Sequence, residues 1–196
     1  MCGRYALHSN PDVVALQFGL ESLPDFAPRY NIAPTAEVLI VKRDGAALAR
    51  WGLVPRWSED PSIGAKLINA RAETLSEKHS FRDAYHRRRC LIPANGFYEW
   101  QRQGAFKQPY CIHPADGELF AFAGLWETWR GSDTCTIVTT EANATLRSIH
   151  DRMPVIIAPG HYAGWLHGEE GLLRPAPAGA IRCYPMRSEV QKSIFD

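Results

Sequence analysis

The sequence predicts an α+β fold in which one domain, residues 1–196, has a mixed, largely antiparallel β core and a few peripheral helices. Many short runs rich in β-branched and aromatic residues alternate with turn residues, which is typical of strands. Only a few stretches favour helix, and no regular strand-helix-strand alternation indicates a Rossmann sheet. With 196 residues, of which 45% are hydrophobic, the chain is long enough for one substantial core.

The first elements are a helix and a hairpin. In "SNPDVVALQFG", Asn10 is a good N-cap, Pro11 suits the first helical turn and Gly19 suits the end. A proline-rich passage follows. In "EVLIVKRDGAALARWGLVP", the pair Asp44-Gly45 separates two strand-like runs and is the strongest hairpin signal in the chain.

The middle and end of the chain mix helices and strands. "AETLSEKHSFRDAYHRR" favours helix, although its apolar residues do not form one clean stripe. After it we expect the strands "CLIPANGFYEWQ", "PYCIHP", "LFAFAGLWETW" and "TCTIVTT". A brief helix "EANATLRSIH", a strand "PVIIAP" and a helix "GHYAGWLHG" should then precede a polar, proline-rich tail.

Composition narrows the class of protein. No window approaches the ~18 to 20 apolar residues of a membrane span, and no secretory leader is recognisable, so we expect a cytoplasmic protein. The five cysteines are odd in number and include no C-x-x-C, which suggests neither a disulfide framework nor a zinc site. The four internal cysteines, Cys90, Cys111, Cys135 and Cys183, are expected to be buried small hydrophobic residues.

The basic residues are mostly arginine. The formal charge is only +1, but seventeen of the 22 basic residues are arginines, whose planar fork binds phosphate in a bidentate manner. The run "HRRRC" at 86–90 fits a solvated surface patch at least as well as a phosphate site. Composition alone does not choose between them.

The start of the chain, "MCGRY", places a cysteine directly after the initiator methionine. Removal of Met1 would leave Cys2 with a free α-amine beside its thiol. Such a 1,2-aminothiol condenses with an aldehyde to a Schiff base and then closes a five-membered thiazolidine ring. The alternative is that Cys2 is an ordinary small residue at a chain terminus.

Four further segments place polar, chemically capable residues in apolar or turn sequence: "RYNIAP", "INARAET", "GFYEW" and "SIHDRMP". Each also has a structural explanation. Asn69 with Arg71 could be a turn amide and a surface charge, Glu99 an outward-facing strand carboxylate, and His150 the cap of its helix.

Together with the N-terminal motif, these segments closely resemble one family. The motifs "MCGRY", "RYNIAPT", "RWGLVPRW", "INARAET", "RRRCLIPANGFYEW", "FAGLWE", "IVTTEAN" and "IHDRMPVII" occur here in that family's order. The chain resembles the SRAP (SOS response-associated peptidase) family, whose members crosslink to abasic sites in single-stranded DNA. The resemblance implies the SRAP fold and a reaction that requires no metal and no cofactor.

The resemblance also implies catalytic roles. Cys2 would form the thiazolidine with the ring-opened aldehyde of an abasic deoxyribose, and Asn69 would orient the Cys2 terminus. Glu99 would act as acid and base, and His150 would handle protons near the sugar. These residue types suit the chemistry, since an α-amine with a pKa of ~7.7 to 8.0 is partly neutral at pH 7 and a nearby carboxylate can accept its proton.

On the DNA side, the resemblance implies that Arg4 and Arg71 hold the flanking phosphates. An abasic site has no base to read, so phosphate contacts and stacking of neighbouring bases must carry recognition. We expect Trp57 and the loop at 31–35, with Asn31 and Pro34, to contact the strand.

Two further features concern the tryptophans and the chain end. Trp51 is expected in the core. Some relatives have a second aromatic residue after the loop tryptophan, where this chain has Ser58, and longer relatives continue beyond the point where this chain ends.

The leading hypothesis is therefore an enzyme of the DNA damage and SOS response that crosslinks to abasic sites, with possible abasic-site lyase activity. We expect a monomer that acts on single-stranded DNA, in the cytoplasm or on a bacterial nucleoid, without a membrane. One alternative is an N-terminal-cysteine peptidase that removes its own methionine. The other is a non-catalytic reader of damaged or modified DNA.

Overall fold

The computed structural model describes residues 2–104, 106–117 and 119–187. Met1 and the end of the predicted tail, 188–196, lie outside the described residues. The strands, in chain order, are β1 (Tyr5–Leu7), β2 (Arg29–Ile32), β3 (Glu37–Lys42), β4 (Gly45–Trp51), β5 (Asn69–Arg71), β6 (Arg89–Ala94), β7 (Gly96–Gln103), β8 (Phe106–Pro114), β9 (Phe120–Trp129), β10 (Ser132–Glu141), β11 (Arg152–Pro154) and β12 (Ile181–Pro185). The α-helices are α1 (Pro11–Phe18), α2 (Arg82–Arg87) and α3 (Tyr162–Leu166).

The strands form two sheets. One has the order β12-β8-β7-β1-β2 and is antiparallel throughout. In the other, β10-β4-β3-β6-β9 closes into a small barrel because β9 also pairs with β10, and β5 and β11 join at β10. The pairings of β10 with β4 and with β5 are parallel, whereas its pairings with β9 and β11 are antiparallel. The predicted α+β class with a mixed, largely antiparallel core is confirmed.

The first predicted helix and the first hairpin are confirmed. The Asn10 side chain accepts a hydrogen bond from the backbone N–H of Asp12, and Gly19 ends α1 in the left-handed conformation, with φ 63°. The turn at Asp44-Gly45 joins β3 to β4 in register from Lys42↔Gly45 to Glu37↔Arg50.

Two predicted helices differ in the structure. The stretch predicted as one helix from Ala72 is split into a short 3₁₀ turn, Ala72–Thr74, and the helix α2. The predicted helix "EANATLRSIH" is a series of turns. There the Asn143 side chain accepts the N–H of Leu146 and donates to the carbonyl of Ala176, which competes with helical hydrogen bonding.

Several short strands have no clear signal in the sequence. β1, β2 and β5 contain only three or four residues each, and β12 lies in the segment predicted as tail. β1, β5 and β12 each pair with a longer strand, as when Tyr5 of β1 pairs with Phe97 of β7, and β2 pairs with β1 at the sheet edge. Tertiary pairing, rather than local preference, creates these strands.

The core has two parts. In the first, the rings of Tyr5, Trp51, Phe97 and Phe122 meet edge to face between the sheets, with centroids 5.3–6.1 Å apart. Trp51 is fully buried, as predicted, and its indole N–H donates to the carbonyl of Ile68. The second part lies beneath α2 and α3 and is centred on buried Trp165.

The arginine run at 87–89 is not a surface patch, apart from Arg87, whose side chain is 76% exposed. Arg88 is buried in ion pairs with Asp83 and Glu127. Arg89 donates to two backbone carbonyls and lies over the ring of Trp165. Both side chains therefore serve the core, because burial is offset by these partners.

The cysteines divide differently from the expectation. Cys90 and Cys135 are fully buried, as predicted, but Cys111 and Cys183 are only half-buried. Both lie on the paired strands β8 and β12 at the side of the antiparallel sheet.

Within the described residues, no helix is long and apolar enough to cross a membrane.

Candidate functional site

The chain start is brought to the site by β1. This strand pairs with β7, and the N–H of Tyr98 donates to the carbonyl of Arg4 at 2.9 Å. Cys2 therefore lies beside the strand that carries Glu99. The Cys2 side chain is 0% exposed, and its thiol lies 3.9 Å from the carbonyl oxygen of Arg4.

Burial raises the pKa of the Cys2 thiol well above its ordinary value, and the nearby Glu99 carboxylate raises it further. A thiol in these surroundings keeps its proton at neutral pH. A partner that can accept this proton is then needed before the sulfur acts as a strong nucleophile.

Asn69 holds the backbone of Cys2. Its side-chain N–H donates to the carbonyl of Cys2 at 2.8 Å. β5 pairs in parallel with β10, with Asn69 opposite Ile137, and this pairing fixes the origin of the side chain. The other atom of the amide, Oδ1, is buried without a hydrogen-bond partner in the described part of the chain, so it is available as an acceptor.

Glu99 lies on β7 and is only 3% exposed. Burial raises the pKa of its carboxyl above the ordinary value, and the neighbouring His150 partly opposes this shift. A carboxyl with a raised pKa is a better proton acceptor and donor near neutral pH than an ordinary surface glutamate.

His150 faces Glu99 from a separate loop. Its Nε2 atom lies 4.0 Å from Oε2 of Glu99. Its Nδ1 atom accepts the backbone N–H of Arg152 at 2.9 Å and lies 3.0 Å from Oδ1 of Asp151. Since the N–H of Arg152 can only donate, Nδ1 is the acceptor in this bond, and the carboxylate of Asp151 lies close to the same atom.

Arg152 and Glu73 fix the loop of His150 to the strand of Asn69. The Arg152 guanidinium donates to both carboxylate oxygens of Glu73, at 2.6 and 2.9 Å, and to the carbonyl of Thr139 at 2.7 Å. Arg152 holds the pKa of the Glu73 carboxyl below its usual range. Sequence reasoning missed this pair, although both residues lie inside the motifs "INARAET" and "IHDRMP".

Glu99 and His150 border a cleft of about 420 Å³, whose other lining residues are Trp100, Arg102, Lys107, Ile149 and Asp151. A larger cavity of about 590 Å³ lies elsewhere, beside the end of α1 and the β3–β4 turn, and contains none of the predicted site residues. The chemistry of the side chains, rather than cavity size, therefore makes the smaller cleft the candidate site.

Arg4 and the loop at 31–35 lie together on the neighbouring strands β1 and β2. Arg4 donates to the side-chain oxygen of Asn31 at 3.3 Å. After half-buried Pro34, Thr35 has φ 71°, a left-handed conformation that is unusual for a β-branched residue. The N–H of Thr35 donates to the carbonyl of Trp51, so the loop is held in this strained form.

Arg71 ends β5 opposite Thr139 and is exposed, two residues beyond Asn69. Arg71 therefore lies beside the Glu73 carboxylate and the Thr139 carbonyl, the two groups that Arg152 binds. An exposed guanidinium here is accessible to an external anion.

Trp57 projects from the loop after β4 and is 51% exposed. Its ring stacks on His79 with centroids 4.9 Å apart, so a second aromatic surface is present although position 58 is serine.

The loop that carries Trp57 is fixed because the backbones of Gly52 and Gly64 touch. A Cβ on either would lie 2.6 Å from the other's carbonyl oxygen, so only glycine fits.

The structure thus brings Cys2, Asn69, Glu99 and His150 to one place, with Arg4 directly before β1 and Arg71 at the end of β5. Trp57 belongs to a different group, since its ring packs on His79 rather than on these four residues.

The comparisons with known proteins agree in family and fold. The family model described as "SOS response associated peptidase (SRAP)" matches residues 1–193. The abasic site processing protein YoqW of Bacillus subtilis is 42% identical, with 97% of this chain and 94% of that protein covered. The abasic site processing protein YedK of Escherichia coli is 32% identical, with 94% and 88% covered.

Among solved structures, a crystal structure of a Bacteroides thetaiotaomicron protein superposes with a TM-score of 0.89 at 28% identity. The superposition covers 97% of this chain and 94% of that one. From the family model and these relatives, the chain belongs to the SRAP family.

Proposed function

We propose that this protein processes abasic sites in single-stranded DNA by forming a covalent thiazolidine crosslink through Cys2, and so shields these sites during the DNA damage response. The observation that carries the proposal is that Cys2, Asn69, Glu99 and His150 lie next to one another around the start of the chain. The names of the relatives, abasic site processing proteins, support the same substrate.

The chemistry requires the α-amine of Cys2, and therefore the prior removal of Met1. The amine adds to the ring-opened aldehyde of the abasic sugar, and loss of one water gives an imine. The sulfur then adds to the imine carbon, and the thiol proton is transferred to the nitrogen. The net reaction joins aminothiol and aldehyde and releases one water, without any metal or cofactor.

The side chains divide this work. Asn69 fixes the Cys2 backbone through its carbonyl, so that amine and thiol approach the same carbon. Glu99 accepts the proton of the α-amine, for which its buried, raised-pKa carboxyl is suited. His150, whose Nε2 atom faces Glu99, donates and accepts protons at the sugar hydroxyl during ring opening.

The DNA strand is held by contacts that do not depend on base identity. Arg4 and Arg71 bind the phosphates on either side of the abasic nucleotide, Asn31 and Pro34 contact the strand, and Trp57 stacks a neighbouring base. The protein acts as a monomer in the cytoplasm, and on the nucleoid of a bacterial cell.

Two further activities follow from the same residues. An imine to the abasic sugar permits β-elimination of the adjoining phosphate, which is an abasic-site lyase activity. A peptidase activity toward its own Met1 would use the Cys2 thiol with Glu99 and His150, in keeping with the family's description.

The test uses one single strand with an abasic site and a matched strand with an intact base, both resolved on a denaturing gel. The proposal is supported if a covalent protein–DNA band forms with the abasic strand and not with the matched strand. Salt-sensitive binding without a covalent band would replace it with a non-catalytic reader. A peptide-cleavage assay on an unprocessed N-terminal peptide measures the peptidase activity separately.

A further inference from the structure

The outer end of the β7–β8 hairpin adjoins the cleft and has no role in the function proposed above. The pairing of β7 with the start of the chain ends where Tyr98 bonds to Arg4, so β7 extends past β1 from Glu99 onward. Arg102 and Lys107 are directly opposite each other on this extension. Directly opposed residues of an antiparallel pair point to the same face, so the two cations are neighbours.

The hairpin is fixed relative to His150. The Gln101 side chain donates to the carbonyl of Ser148 at 2.7 Å and accepts a hydrogen bond from the hydroxyl of Tyr110. These bonds attach the extension to the loop that carries His150. The cleft of about 420 Å³ lies between them and is lined by Arg102 and Lys107 as well as by Glu99 and His150.

The charges in this cleft are arranged in two parts. Glu99 and Asp151 are acidic and repel an approaching phosphodiester strand. Arg102 and Lys107 are exposed, and neither has an ion-pair partner within the described ranges 2–104, 106–117 and 119–187. Their positive charge is therefore available to an anion from outside, unlike that of buried Arg88, which is paired.

We propose that Arg102 and Lys107 form a binding site for one backbone phosphate of the DNA strand, within about three nucleotides of the abasic site. Glu99 and Arg102 are three residues apart on β7, so their side chains leave opposite faces of the strand about 10 Å apart, and both residues border the cleft. Three stacked nucleotides rise by about the same distance. The arginine fork would bind the phosphate oxygens, and the lysine would add a point charge. This inference rests on the proposed function, since it places the abasic nucleotide at Glu99 and His150.

The experiment measures equilibrium binding to a single strand with a tetrahydrofuran abasic analogue, which has no aldehyde and cannot crosslink. Neutral methylphosphonate linkages are placed singly at each of three positions on both sides of the analogue. Each phosphate contact contributes about 0.7 to the slope of log K against log salt for a single strand. Loss of one contact therefore lowers the binding affinity about fivefold at 0.1 M salt, if the affinities are taken as equal at 1 M salt.

The affinity of the parent protein should fall about fivefold when one particular linkage is made neutral. The affinity of Arg102→Ala/Lys107→Ala should not change at that linkage. The double variant should also have a salt slope lower by about 0.7 on the fully charged strand. Arg43→Ala/Arg174→Ala, which removes two exposed cations that do not line this cleft, should retain the parent pattern.

The inference would be overturned if the double variant bound the fully charged strand as tightly as the parent does. It would also be overturned if each neutral linkage lowered the affinity of the double variant and of the parent by the same factor. Crosslinking of a true abasic strand by the parent protein is measured in parallel. Its failure would refute the proposed function, while the methylphosphonate pattern would still decide whether the phosphate site exists.

Discussion

Nε2 of His150 faces Oε2 of Glu99 at 4.0 Å, while the other ring nitrogen of His150 receives the backbone N–H of Arg152. The two side chains come from a loop and from strand β7, and they border the same cleft. This arrangement is the basis for the separate proton-transfer roles that we propose for the two groups.

Separate proton-transfer roles predict different pH profiles for two variants. Glu99→Gln keeps the shape but cannot accept the amine proton, so crosslinking should slow by about 10² to 10⁴ and recover partly at higher pH, where the amine is already neutral. His150→Ala should slow crosslinking by a similar factor without this recovery. The measurement is single-turnover adduct formation from about pH 6 to 9.

The same profiles include the result that would refute the separation of roles. Parallel curves for Glu99→Gln and His150→Ala would show that both residues serve one step. Parent-like rates in both variants would remove them from the site.

The Glu73–Arg152 pair should stabilise the protein in a pH-dependent manner. Since Arg152 lowers the pKa of Glu73, the pair stabilises the fold above the ordinary pKa of glutamate, and this contribution disappears as the pH falls through the lowered value. Glu73→Gln should therefore reduce stability by about 0.2–1 kcal/mol at pH 7, a small effect because the carboxylate is half exposed. Thermal unfolding should show the difference shrinking as the pH is lowered below the ordinary value of 4.5.

Arg152 should also affect the reaction through His150. Arg152→Ala removes the guanidinium that fixes the loop, and crosslinking should slow together with stability. Arg152→Lys keeps the charge but not the bidentate geometry, so it should restore only part of the rate. The assay is run at a lower temperature at which Arg152→Ala remains folded. If Arg152→Ala then crosslinks at the parent's rate, Arg152 has no positioning role.

Arg4→Ala and Arg71→Ala should weaken binding of every single strand, whatever its sequence. Each should reduce the slope of log K against log salt by about 0.7. Arg87→Ala is the matched control, since this side chain is 76% exposed and pairs with Asp83 rather than with any of the predicted site residues. An unchanged slope in both site variants would contradict the assignment of these phosphate contacts.

Trp57→Ala should weaken single-strand binding by about 1–3 kcal/mol, the range for one base stacked on an aromatic ring. Thermal stability should change little, because the ring is half exposed. His79→Ala tests whether the stacked pair acts as a unit. Parent affinity in Trp57→Ala, measured by fluorescence anisotropy of a labelled strand, would exclude Trp57 from the interface.

Local sequence signals predicted the elements that depend on local chemistry. Asn10 and Gly19 determine the ends of α1, and Asp44-Gly45 determines the first hairpin, because caps and tight turns need particular residues. The helix predicted around Asn143 did not form, since this side chain bonds instead to Leu146 and to Ala176 across the fold. Such long-range bonds have no periodic signal in the sequence.

The four catalytic candidates were identified by their motifs and not by their spacing in the chain. That Asn69 donates to the carbonyl of Cys2, or that Glu73 holds Arg152, depends on the parallel pairing of β5 with β10 and on the position of the loop before β11. The burial of Arg88 and Arg89 was likewise invisible in the run of three arginines, because their partners come from distant segments.

The most direct test of the central claim is the intact mass of the protein after incubation with a single strand that contains a true abasic site. The parent, once Met1 is removed, should gain the mass of the strand less one water, and the adduct should survive denaturation without reductant. Cys2→Ala should bind the strand nearly as well but give a covalent product only when borohydride traps the imine of its α-amine. A durable adduct of the same mass change in untreated Cys2→Ala protein would contradict Cys2 as the ring-closing nucleophile.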